Sequence, residues 1–175
     1  MIAKIITNII LIIGLSMAQI ALVSGLPLLA GNLNLALVIL IFILGFSSFN
    51  FSAWWVAGVG FLLEIFSFLP FGAYLVSLSL TIIIANWLLN YFFTNRSLYS
   101  FLALTGLATV IYELIINLFV FIFDAANSAA SFTEGSFWLF MLEQIGLNLL
   151  FTFIIYYIIY FLGRNIKPVF LIKKY

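Results

Sequence analysis

The chain contains no cysteine and no histidine. Their absence removes disulfides, thiol nucleophiles, haem ligation through imidazole and ordinary zinc sites. Charge is scarce too, at 6% of residues, where a soluble domain carries about 25%. So few charged side chains cannot cover a water-facing surface. The net charge of +1 gives no electrostatic case for binding nucleic acid. No Ser-His-Asp set, metal-ligand spacing, P-loop or phosphate-cradling glycine loop occurs, so neither a catalytic residue nor a cofactor is expected. There is no internal repeat and no low-complexity linker.

What the chain has is apolar length. Hydrophobic residues make up 67% of its 175 positions, and phenylalanine alone occurs 21 times. A hydrocarbon core of about 30 Å needs about 20 helical residues per crossing. The sequence therefore reads as one all-α domain over 1–175, a six-helix transmembrane bundle with no soluble domain. The expected helices cover about 5–24, 33–49, 53–69, 71–93, 98–123 and 137–162, followed by a basic tail over 163–175. Ser16-Met17-Ala18 resembles a signal-peptide cleavage site. However, the apolar run continues past Gln19, and the charge balance below works only if this helix is kept. Helix two is almost wholly apolar and is expected at the bundle edge, facing lipid. Ser47, Ser48, Asn50 and Ser52 suggest a short polar turn, and Trp54 and Trp55 stand where interfacial aromatic belts lie. Pro70 and Gly72 mark a tight corner between helices three and four. Proline restrains the residue before it, and glycine permits positive φ.

With six crossings, both ends and the Arg96 loop share one side. Lys4, Arg96, Arg164, Lys167, Lys173 and Lys174 all then fall together, while Asp124 and Glu134 fall opposite. Basic residues mark the cytoplasmic face, so both termini are expected there. The tail serves as a topology signal and a contact for anionic lipid.

Three carboxylates lie inside expected crossings: Glu64, Glu113 and Glu143. Each costs about 2.5–3.5 kcal/mol to insert at the bilayer centre, and no crossing contains a lysine or arginine. The carboxyls are therefore protonated, hydrogen-bonded to Asn, Gln, Ser, Thr or Tyr, or used to take up a cation or proton. Helical spacing groups them with other polar or small residues. Ala57, Gly60, Glu64 and Ser67 share a face; so do Gly106, Thr109, Glu113 and Asn117. Gln144, Asn148, Thr152 and Tyr156 make a third stripe beside Glu143. Asn86 and Asn90 lie one turn apart on helix four and are expected to bond across helices. Small and polar residues are what membrane helices use where they meet, so these stripes read first as packing seams. Glu64, Glu113, Glu143, Asn86, Gln144 and Asn148 are the candidate functional or interhelical residues. Glu64 and Glu143 could do acid–base work if they met in space.

Gln19 is followed by Leu26-Pro27-Leu28, then by Asn32-Leu33-Asn34-Leu35. Gly58, Gly60, Leu62, Leu63, Glu64, Pro70, Phe71 and Gly72 come next. This pattern resembles the MreD family of bacterial rod-shape-determining membrane proteins. There, a glycine-rich helix ends in a Gly-Leu-Leu-acidic run before a Pro-Leu-Gly turn. Here Phe61 intervenes, Glu64 holds the acidic position, and Phe71 replaces the usual leucine. The matching stretch covers about residues 19–72. The resemblance implies a non-enzymatic scaffold of the peptidoglycan elongation complex. Its partners would be MreC-like and actin-like MreB proteins and a glycosyltransferase/transpeptidase pair.

The alternative is the substrate-binding subunit of an energy-coupling-factor vitamin transporter, also a small six-helix bundle. Such subunits usually carry an Ala-x-x-x-Ala pattern in the first helix. Ala18 and Ala21 have the wrong spacing, but Trp54, Trp55, Asn86 and Gln144 could line a pocket. The topology can be tested with compartment-sensitive reporters fused after Lys174 and within the 124–134 segment. They should report opposite sides of the membrane, and a shared compartment would overturn the six-crossing reading.

Overall fold

The computed structural model describes residues 2–23, 25, 30–93, 95–123 and 135–166. Its main elements are six α-helices: α1 (Ile2–Met17), α2 (Leu35–Phe46), α3 (Phe49–Ile65), α4 (Ala73–Tyr91), α5 (Leu98–Phe123) and α6 (Gly135–Ile166). A π-helical stretch over Ala18–Val23 continues α1, and a 3-10 turn over Ala30–Asn32 precedes α2. Among the described residues, four stretches are long and apolar enough to cross a bilayer: Ala3–Ala21, Ala73–Tyr91, Leu98–Phe123 and Phe137–Leu162. Helices α2 and α3 are also apolar, but span only 12 and 17 residues. The chain is thus an all-helical, polytopic membrane protein. The Asp124 and Glu134 segment and the basic residues Lys167, Lys173 and Lys174 lie outside the described residues.

Helix α2 is the centre of the molecule. It packs against α3, α4, α5 and α6, while α1 lies outside on α3. Ala36, Leu37, Val38, Leu40 and Ile41 are wholly buried. The expectation of a lipid-facing helix at the edge is therefore corrected. A helix that is apolar all round suits lipid or a protein core equally, so the pattern alone does not choose between them. The outer helix is α1, whose Ile5, Ile6, Ile9 and Ile10 are each about half exposed. Phe101 of α5 stacks on Phe42 with ring centroids 4.8 Å apart. It occupies the space a side chain at Gly45 would need.

The α3–α4 corner is longer than the proline alone suggested. Helix α3 ends at Ile65 rather than near Leu69, and α4 begins at Ala73 rather than Phe71. Ser67 breaks the helix early: its Oγ accepts from the Leu69 N–H at 2.8 Å, a local turn that competes with helical bonding. The Pro70 carbonyl then accepts from Ala73 N–H at 3.1 Å. Gly72 caps α4 with φ +99°, in the left-handed region that β-carbons disfavour. The two helices leave this corner in close contact. A Cβ on Gly60 would lie 3.1 Å from the Leu75 Cα, so a side chain there would push backbone against backbone. Gly58 faces the side chain of Ile12 on α1, whose Cγ2 would lie 3.0 Å from an added Cβ.

Other boundaries shift modestly. Asn50 and Ser52 belong to α3, so the α2–α3 turn is only Ser47 and Ser48. Helix α6 continues through Arg164, expected in the tail, to Ile166. Trp54 is 77% exposed, consistent with an interfacial position, but Trp55 is corrected: it is buried against the core, and its indole N–H has no partner. Adjacent helical positions point about 100° apart, so two neighbouring tryptophans cannot both face lipid squarely.

The glycines should rank by what surrounds them in thermal unfolding of the detergent-solubilised protein. Gly72→Ala should cost about 1–2 kcal/mol through its left-handed backbone. Gly60→Val should cost more, by separating α3 from α4. Gly146→Ala, with nothing near its added Cβ, should be neutral or gain up to about 1 kcal/mol of helix propensity.

Candidate functional site

Two helices begin inside the bundle, α2 at Leu35 and α4 at Ala73. The first backbone N–H groups of any helix lack intrahelical acceptors, and apolar surroundings offer no water to replace them. At α2 the acceptors are amide side chains. Asn34 Oδ1 accepts from its own helix at Leu37 N–H, 3.0 Å away. Gln19 Oε1 accepts from Ala36 N–H at 3.1 Å, and Gln19 Nε2 donates to the Leu33 carbonyl at 3.1 Å. The π-helical stretch is where Gln19 sits, one helix away from the start it clasps. Asn148, from α6, completes the collar by accepting from Asn34 N–H at 2.9 Å.

At α4 the side-chain acceptor is Glu64. Its Oε2 accepts from the N–H groups of Tyr74 (3.0 Å) and Leu75 (3.2 Å). The carboxylate thus lies against the positive end of the helix dipole, a setting worth about 0.3–1 kcal/mol at exposed sites and up to about 2 kcal/mol when partly buried. This is the partner that no lysine or arginine supplies. Glu64 is 5% exposed, and its Oε1 has no hydrogen-bond partner.

The polar stripes of α5 and α6 face one another. Asn148 Nδ2 donates to Thr109 Oγ1 at 2.9 Å, and Thr152 Oγ1 lies 3.2 Å from Thr105 Oγ1. Higher up, Gln144 and Asn117 both hydrogen-bond the Glu113 side chain, Asn117 Nδ2 reaching Oε2 at 3.2 Å. Glu143, one position from Gln144, turns elsewhere and accepts from Asn32 Nδ2 at 2.9 Å. Glu64, Glu113 and Glu143 are therefore held by three different sets of donors. Among the described residues, no cluster of three or more Asp, Glu, His or Cys could hold a metal.

Asn86 stands apart from this assembly. Asn90 Nδ2 donates to Asn86 Oδ1 at 3.4 Å along α4 itself, so the expected bond across helices is corrected. One helical turn brings side chains four residues apart within reach of each other, and both lie on the outer part of α4.

Between the two helix starts and the α5–α6 seam lies a partly open cavity of about 780 Å³. Its polar wall includes Asn34, Tyr74, Tyr112, Glu113, Asn117 and Gln144, and its apolar wall includes Leu63, Ile116 and Phe137. Trp54, Trp55 and Asn86 do not line it. Gln144 is buried, and its Oε1 has no partner. Tyr74, Tyr112 and Ser67 were not singled out as cavity residues from the sequence, and Asn34 entered only through the family pattern. For Asn34 a signal existed: asparagine directly before an apolar run marks a helix start.

In comparisons with known proteins, no family model, no curated protein and no solved structure matches this chain.

The Glu64 cap sets an order of substitutions. Glu64→Gln retains an acceptor and should cost about 1 kcal/mol through lost charge–dipole attraction. Glu64→Ala strands two partly buried N–H groups and should cost about 1–3 kcal/mol. Glu64→Lys, placing a cation at the positive helix end, should be worst. Unfolding temperatures in detergent check the order, and equal stability of the Gln and Lys variants would remove the cap as explanation.

Proposed function

We propose that this protein is a non-enzymatic component of a bacterial cell-shape and peptidoglycan elongation complex, similar to MreD, that scaffolds membrane partners. One observation carries the reading. Five described residues of the MreD-like pattern act in one connected region. Gln19 clasps the start of α2, Gly58 and Gly60 admit α1 and α4 against α3, Glu64 caps α4, and Gly72 makes the turn. A pattern whose members work together is a stronger sign of kinship than the same residues scattered. Pro70 belongs to the corner as well.

In this reading the chain crosses the bacterial inner membrane six times, with both termini cytoplasmic. Helices α2 and α3 are about 18 and 26 Å long at 1.5 Å per residue. Protein surrounds α2, so its ends need no bilayer-matched length. With little chain outside the bundle, lateral helix faces are the surfaces left for MreC-like proteins and the glycosyltransferase/transpeptidase pair. The exposed isoleucines of α1 provide one such face.

The cavity favours a second reading, a ligand-binding subunit of an energy-coupling-factor transporter. Its volume lies within the 300–1,000 Å³ or so typical of small-molecule sites. The Ala18–Ala21 spacing remains against it. Co-purification from native membranes separates the two: an MreC-like partner should be retained, and depletion should round rod-shaped cells. Unchanged shape together with a vitamin-sized molecule retained on purification would establish the second reading instead.

A further inference from the structure

We propose that the cavity between the starts of α2 and α4 and the α5–α6 seam binds an organic ammonium ion. The proposal does not depend on whether the chain is a scaffold or a transporter subunit. Two features of the wall point to it. The Glu113 carboxyl lines the cavity, held by Gln144 and Asn117, and would pair with an ammonium ion through charge-assisted hydrogen bonds. Gln144, with its amide turned to Glu113, leaves its Oε1 buried and unpartnered. A buried acceptor without a donor costs about 1–3 kcal/mol, and a ligand N–H would satisfy it.

Charge gives the sign of the ligand. Among the described residues, Glu113 is the only formally charged one that lines the cavity, and no lysine or arginine does. The positive ends of α2 and α4 are already occupied by Asn34, Gln19, Asn148 and Glu64, so they do not offer an anion site. A cation with several N–H donors therefore complements the wall, and a carboxylate or phosphate does not. The rings of Tyr74 and Tyr112 add faces that attract a cation. Leu63, Ile116 and Phe137 would receive an apolar body attached to it. The ammonium could belong to a free amine or to an ethanolamine lipid headgroup; the chemistry at Glu113 and Gln144 is the same.

Three probes of one shape test the charge. Tryptamine, tryptophol and indole-3-acetate carry an ammonium, a hydroxyl and a carboxylate on the same indole-ethyl body. Equilibrium dialysis with the purified full-length protein should show tryptamine binding at least tenfold tighter than either analogue. Glu113→Gln should weaken tryptamine at least tenfold and leave tryptophol unchanged. Gln144→Met provides a second variant should Glu113→Gln fold poorly, and it should weaken tryptamine about threefold to tenfold. Asn90→Ala, outside the cavity, should bind as the parent does. Native mass spectrometry identifies the source: tryptamine displacing either a low-mass amine or a phosphatidylethanolamine supports the site. Equal binding of tryptamine and tryptophol, tightest binding of indole-3-acetate, no binding of tryptamine at millimolar concentration, or parent-like binding by both cavity variants would overturn the proposal.

Discussion

Backbone N–H groups that start a helix away from water must find acceptors, and the rest of this structure is arranged around two such starts. At α2 the acceptors come from Gln19, Asn34 and Asn148. At α4 the Pro70 carbonyl takes the first, and Glu64 takes the next two. Because Gln19, Asn148 and Glu64 belong to other parts of the chain, each cap is also a tertiary contact. Satisfying one local backbone requirement fixes the π-helical stretch, α6 and the end of α3 in place. The packing of α2 within the bundle follows, since a helix held at its start by α1 and α6 must run between their neighbours.

The sequence disclosed this arrangement unevenly. The stripes on α5 and α6 were legible because helical periodicity projects side chains onto faces: Thr109 and Glu113 share one, Gln144 and Asn148 the other, and the structure joins them. The fate of Glu64 was not legible. Its partners are main-chain N–H groups ten and eleven residues ahead, and backbone groups carry no side-chain signature. Nor was the position of α2, whose uniform apolarity reads the same whether lipid or protein surrounds it. Trp55 was misread because proximity to an interfacial tryptophan says nothing about the direction of the next residue. The early end of α3 depended on Ser67, a modest residue beside the conspicuous Pro70.

The cavity arises from the same organisation. Two helices that begin within the bundle, rather than at its surface, leave room beyond their first turns. Tyr74 and Asn34 line that room because they stand at those starts, and Glu113 and Gln144 line it because the α5–α6 seam continues above Asn148. Structural polar groups and candidate binding groups are thus successive members of one hydrogen-bonded series. The lower members are satisfied by each other, and at Gln144 the series ends with an acceptor to spare.

Asn148 reaches α2 from the far end of the chain, and this has a bearing on biosynthesis. A ribosome delivers α1 to α5 to the membrane before α6 emerges. Throughout that interval the Asn34 N–H and the Thr109 hydroxyl lack the amide that will join them. The central helix can be inserted early but is seated last. A nascent polypeptide stalled before its final segment would hold an open, hydrated gap where the finished molecule has a closed seam, and quality-control proteases that survey polar surface within the bilayer would have a feature to recognise.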